Sequence, residues 1–258
     1  MIWEFSNSSY SGYILVILVG TIAGFFNTVA GGGSLLTLPV LIFMGLPAPL
    51  ANGTNRIAIF AQNIFAVSGF KSKGVSEFPF AIWVSISALI GAIIGASLAV
   101  DVDGRLFNRI LAVIMVVVIG ITIFNPLKNR NLKKETNSPK KTALSIFLFF
   151  FIGIYGGFIQ AGVGFLIISI LTMVNGYSLV RTNSIKVFVA LVYTFFAIIV
   201  FIIENKIDWT LGLTLACGNS LGAWFASRWS VEKGDKWIRI FLIIAVAGLA
   251  IKLWFFNS

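Results

Sequence analysis

The sequence predicts an all-α integral membrane protein of two inverted-topology repeats, each a glycine-broken helical hairpin plus three transmembrane helices. Three observations predict it. The 258 residues are 58% hydrophobic and only 11% charged, whereas soluble domains carry roughly 25% charged residues. One aqueous core cannot hide so much apolar surface. The apolar runs are continuous and about one membrane thickness long as helices, which excludes the alternating strands of a transmembrane barrel. The third observation is a duplication. Gly24–Phe70 is interrupted by Gly31-Gly32-Gly33 and then carries the polar cluster Asn52 to Arg56; a weaker copy has Gln160-Ala161-Gly162-Val163-Gly164 and then Thr182 to Lys186.

The elements follow in order. Residues 1–9 are a polar lead, and Tyr10 to Ala30 is a first apolar segment that the glycine triplet breaks. Leu35 to Met44 is too short to span. Pro47 and Pro49 end it, because proline lacks the N–H and disfavours helix in the residue before it. Asn55 to Phe70, Phe78 to Val100 and Leu106 to Phe124 complete the first half. The second half repeats the plan: Thr142 to Gln160, a break, the short Phe165 to Val174, then Leu179 to Ile203, Trp209 to Trp229 and Trp237 to Phe256.

The expected units are a first membrane repeat at 1–124, a linker at 125–141 and a second repeat at 142–258. The halves align by eye at Ala30-Gly31-x-Gly33 with Ala161-Gly162-x-Gly164, and at Thr54-Asn55-x-Ile57 with Thr182-Asn183-x-Ile185. Gly91 and Gly95 match Gly218 and Gly222, a spacing that lets helix backbones approach closely.

The net charge of +10 does not point to nucleic acid, because the basic residues sit between apolar segments. The linker holds the densest cluster and is placed in the cytoplasm. Fourteen of the 19 Lys and Arg then fall inside, and both termini fall on the outer face. Glu4, with no early Lys or Arg, argues against a cleaved signal peptide. The lone Cys217 gives no disulfide. Histidine is absent, and no carboxylate pair or metal-ligand spacing appears, so an enzyme, a metal site and a cofactor are not expected.

Irregular backbone is tolerated at membrane depth only where protein buries it or water lines it. The breaks are therefore read as the site. Helix restarts at Ser34, a good N-cap residue, and at Gly164 leave free N–H groups that attract anions. Gly31 to Ser34 lacks the Lys-Ser/Thr pair of a phosphate loop. The candidate substrate-binding residues are Asn27, Gly31, Gly32, Gly33, Ser34, Thr54, Asn55, Arg56, Gln160, Gly162, Gly164, Thr182, Asn183 and Lys186. Arg56 and Lys186 have two readings, as guards of one mouth each or as snorkelling interfacial groups. For the asparagines the alternative is helix-end capping, and for the glycines it is tight packing.

These residues resemble the sulfite exporter TauE/SafE family. The resemblance rests on Gly24-Phe25-Phe26-Asn27, Ala30-Gly31-Gly32-Gly33-Ser34, Pro39 and Ala51-Asn52-Gly53-Thr54-Asn55. In the second half it rests on Gly157, Ala161-Gly162-x-Gly164 and Thr182-Asn183-Ser184-x-Lys186, and it covers almost the whole chain. Arg181 stands where the family usually has glycine. The resemblance implies transport of a small sulfur oxyanion or sulfonate across the lipid bilayer of a prokaryotic cytoplasmic membrane. An anion channel, or a permease for another small organic anion, is the alternative.

Overall fold

The computed structural model describes residues 10–76, 78–124 and 138–256, and all regular structure among them is helical. Both chain ends, Glu77 and positions 125–137 of the expected linker lie outside the described residues. The helices are α1 (Tyr10–Val29), α2 (Ser34–Phe43), α3 (Ala48–Ser72), α4 (Phe80–Val100) and α5 (Gly104–Phe124). After the linker come α6 (Pro139–Phe158), α7 (Val163–Ile170, continued by a π turn at Leu171–Asn175), α8 (Leu179–Ile203) and α9 (Trp209–Phe256).

Local chemistry explains most of the starts. Ser138 and Ser178 accept hydrogen bonds from the N–H groups of Lys141 and Arg181, capping α6 and α8. Asp103 Oδ1 accepts from Arg105 and Leu106 N–H, and Asp208 Oδ1 from Leu211 N–H. The loop acids thus satisfy the first free amides of α5 and α9.

Three boundaries differ from the sequence reading. Helix α3 starts at Ala48, not Asn55, because a proline in the first turn loses no intrahelical bond. Asn52 to Arg56 are therefore helical. Gly33, not Ser34, occupies the cap position of α2, with φ −57° and ψ −37°. The expected Trp209–Trp229 and Trp237–Phe256 are one 48-residue helix. The polar stretch Ser230 to Lys236 contains no proline and is rich in helix-forming Glu and Lys. The second half therefore has two helices after its hairpin among the described residues, not three.

Among the described residues, four helices are long and apolar enough to cross a membrane: Gly12–Val29, Phe80–Val100, Pro139–Phe158 and Leu179–Ile203. Their outward faces carry Ile14, Leu18, Trp83, Ile90, Phe147, Phe151, Phe195 and Ile203, all exposed. An apolar face this extensive requires lipid. Helix α3 is 25 residues long but carries buried Asn52, Asn55, Arg56, Gln62 and Asn63. Its polar groups face protein rather than lipid.

The halves interlock. Helix α4 packs along α6, where Gly91 and Gly95 lie against the Phe150 and Ile154 carbonyls. Helix α9 packs along α1 in the same way, with Gly218 and Gly222 against the Ile17 and Thr21 carbonyls. Each four-residue glycine pair thus meets the broken helix of the opposite half. Helices α3 and α8 run antiparallel: Thr54 Oγ1 accepts from Asp208 N–H beyond the end of α8, and Ser184 Oγ bonds the Val75 carbonyl beyond the end of α3. Near that second end, Lys73 Nζ pairs with Glu232 at 2.7 Å. The hydrogen bond and the positive charge hold the Glu232 carboxyl below its usual range.

Because α4 and α9 find their main partners across the halves, residues 1–124 and 142–258 are expected not to fold when expressed separately. Co-expression should restore a complex that copurifies and elutes as one peak. Monodisperse 1–124 on its own would disprove the interlock.

Candidate functional site

The two hairpin breaks meet. Helix α1 ends at Val29, and Gly31 takes a left-handed φ of +85°. The chain then folds back, so that Gly33 packs on Ala23 and Asn27. In the second half, Gln160 (φ +58°) and Gly162 (φ +71°) make the corresponding turn. Backbone touches backbone where the hairpins cross: a Cβ on Gly31 would lie 2.3 Å from Gly164 Cα, and one on Gly164 would lie 2.2 Å from Gly31 Cα. No side chain fits there.

Beside this crossing is a partly open pocket, with about 290 Å³ of empty space when the open solvent at its mouth is included. Of the expected site residues, Asn27, Ser34, Gln160, Gly164 and Lys186 line it. Ser34 opens α2 and Gly164 lies in the first turn of α7, so two helix starts border one space. The N–H groups of Gly33, Ser34 and Gly164 take no backbone carbonyl. The Ser34 hydroxyl, 2% exposed, has no partner among the described residues either.

The other expected residues support the pocket without lining it. Gly32 lies under the Phe165 ring. Asn55 Oδ1 accepts from Thr37 Oγ1 at 2.7 Å, tying α3 to α2. Thr54 secures the start of α9, and Thr182 is fully buried in the first turn of α8.

The two cations perform the same task in opposite directions. Arg56, on α3, donates to the Gly156 carbonyl at 3.0 Å, to the Gly157 carbonyl and to Gln160 Oε1 at 3.2 Å. Asn52 beside it donates to the Phe158 carbonyl at 2.8 Å. Together they close the carbonyl end of α6, while Arg56 also lies 4.7 Å over the Phe201 ring. Lys186, on α8, donates to the Asn27 and Thr28 carbonyls at 2.9 and 2.7 Å and to Asn183 Oδ1 at 2.7 Å. Asn183 donates in turn to the Val29 carbonyl at 3.0 Å. Each cation thus sits at the C-terminal, partly negative end of the other half's broken helix.

Arg56 is fully buried and Lys186 is 4% exposed. They are neither mouth guards nor snorkelling groups. Lys186 meets three acceptors, which uses all three N–H bonds of an ammonium. Among the described residues the single ion pair is Lys73–Glu232, so neither buried cation faces a carboxylate.

The sequence reading missed Asn63 and Tyr193, which also line the pocket along with the apolar Ile59, Val163, Ile167 and Ala190. The signal for Asn63 was present. Asn52, Arg56, Ile59 and Asn63 fall at helical spacing on one face, and an amide pair, Gln62-Asn63, in an otherwise apolar run points to function in a membrane protein. Gln160 links the parts: its Nε2 donates to Thr194 Oγ1 at 2.8 Å, and its Oε1 accepts from Arg56.

Among the described residues no group of His, Cys, Asp and Glu could hold a metal ion. The profile of the sulfite exporter TauE/SafE family matches residues 16–253. A probable membrane transporter protein, ORF9, of a Sinorhizobium species is 28% identical over 90% of this chain and 88% of its own length. The probable membrane transporter protein YfcA of Escherichia coli is also 28% identical, over 93% and 88%. One from Haemophilus influenzae is 24% identical over 89% of each chain. No solved structure matches. With the profile spanning both hairpins and nearly all the helices around them, the chain belongs to the sulfite exporter TauE/SafE family, whose members are membrane transporters and not enzymes.

Proposed function

We propose that the protein is a secondary transporter that exports small sulfur-containing anions, such as sulfite or organosulfonates, across the cytoplasmic membrane by alternating access. One observation carries the reading: two buried cations with no carboxylate partner flank a pocket that two helix starts border. Buried charge is costly unless compensated, and a bound anion supplies the compensation. The sulfur chemistry comes from the family. The antiparallel α3 and α8, and the reciprocal contacts of Arg56 and Lys186, support inverted repeats rocking about the hairpin crossing. The basic linker then lies in the cytoplasm and the N-terminus on the outer face, while the single long α9 returns the chain toward the inner face instead of placing the C-terminus outside.

The backbone contact of Gly31 with Gly164 supports a carrier over a channel, since it closes the centre that an open pore needs. With every acid of the chain outside the expected apolar segments, an anion leaving down the membrane potential gains about 2.3 kcal/mol per charge per 100 mV. In reconstituted vesicles with potential and pH gradient set separately, sulfite or methanesulfonate efflux is expected to saturate, to show counterflow and to rise with an inside-negative potential. Flux that never saturates and lacks counterflow would establish a channel. Carrier flux indifferent to voltage would remove the potential-driven step.

A further inference from the structure

The pocket's hydrogen-bond donors come from three separate elements. The start of α2 offers the Ser34 hydroxyl and N–H; the start of α7 offers the Gly164 N–H. Helix α3 offers Asn63. The amide of Asn63 is 2% exposed, and its Nδ2 has no partner among the described residues. Two other polar groups of the lining are committed: Lys186 spends its three N–H bonds on α1 and Asn183, and Gln160 Nε2 is held by Thr194. An unpaired buried amide is costly, and the pocket it lines is where an acceptor arrives.

From this geometry we infer that Asn63 is the specificity-determining residue of the pocket, donating to the third oxygen of a sulfonate-type head group while the starts of α2 and α7 serve the other two. The inference rests on the anion-site reading above. A carboxylate has two oxygens and leaves Asn63 unpaired; an –SO₃ group has three. Lys186 supplies charge from behind without a direct hydrogen bond. The apolar side made by Ile59, Val163, Ile167 and Ala190 receives the carbon end of the anion.

The test is equilibrium binding of methanesulfonate and acetate to the purified protein in detergent, with Asn63→Ala and the near-isosteric Asn63→Leu alongside the native chain. The native protein is expected to prefer methanesulfonate by about tenfold or more. Both variants should lose about tenfold in methanesulfonate affinity and stay within about threefold for acetate. Asn63→Leu should also melt higher than the native protein without ligand, by about 3 °C, because an unsatisfied amide is gone. A merely structural Asn63 gives the opposite pair of results: a lower melting temperature and equal losses for both anions. An unchanged preference in the variants, or a native protein that binds both anions equally, overturns the specificity role and leaves the anion site standing. A native protein that binds neither anion overturns both.

Discussion

Replacing Lys186 with methionine is expected to lower oxyanion affinity about a hundredfold. The ammonium is buried, faces no carboxylate among the described residues and lines the pocket. A unit charge about 6 Å from an anion, at an effective dielectric of about 20, is worth about 3 kcal/mol, which corresponds to about two orders of magnitude. The same substitution strands the Thr28 carbonyl and Asn183 Oδ1, while the Asn27 carbonyl keeps the Gly31 N–H. Each acceptor left without a donor costs about 1–3 kcal/mol, so the variant should also melt lower. Lys186→Gln separates the two effects. Its amide restores N–H donors to the end of α1 but brings no charge, so it should recover much of the stability and none of the affinity. Titration of both variants with sulfite, read by calorimetry, checks this. Native-like affinity in Lys186→Gln would show that the charge plays no part in binding.

The second large effect is expected at the hairpin crossing. Gly164→Ala places a Cβ 2.2 Å from Gly31 Cα, and neither atom belongs to a flexible side chain that can yield. The hairpins must move apart, at a cost of about 3 kcal/mol or more, and the pocket beside them loses its shape. Gly31→Ala adds the strain of a positive φ to the same clash and should be worse. Gly45→Ala is the control: its φ is +96°, but nothing lies within 4 Å of the added Cβ, so only about 1 kcal/mol of backbone strain is at stake. Thermal melting of the three variants in one detergent ranks them. A Gly164→Ala protein no less stable than Gly45→Ala would mean that the crossing is looser than this geometry.

How much of this was legible in the chain depends on the range of each interaction. The two breaks, the short return helices and the membrane class were legible, because each follows from hydropathy and from glycine within a few residues. The start of α3 was misread because proline has two meanings. It stops a helix it follows and fits the first turn of the next, and only the backbone at Pro47 tells which applies. The continuity of α9 was misread because a polar stretch resembles a loop wherever lipid is assumed on both sides of it. The burial of Arg56 and Lys186 was not legible, because the carbonyls they reach lie 100 or more residues away.

The sequence alone determined that the protein is helical, apolar on its outer faces and twice interrupted by glycine, since hydropathy and backbone freedom are properties of short segments. Tertiary structure alone decided that each half grips the other's broken helix, that Gly31 rests on Gly164, and that Ser34 and Asn63 are left without partners among the described residues. The reason is that a hydrogen-bonding group is satisfied or orphaned only by what distant segments bring to it, and in this fold those segments come from opposite halves of the chain.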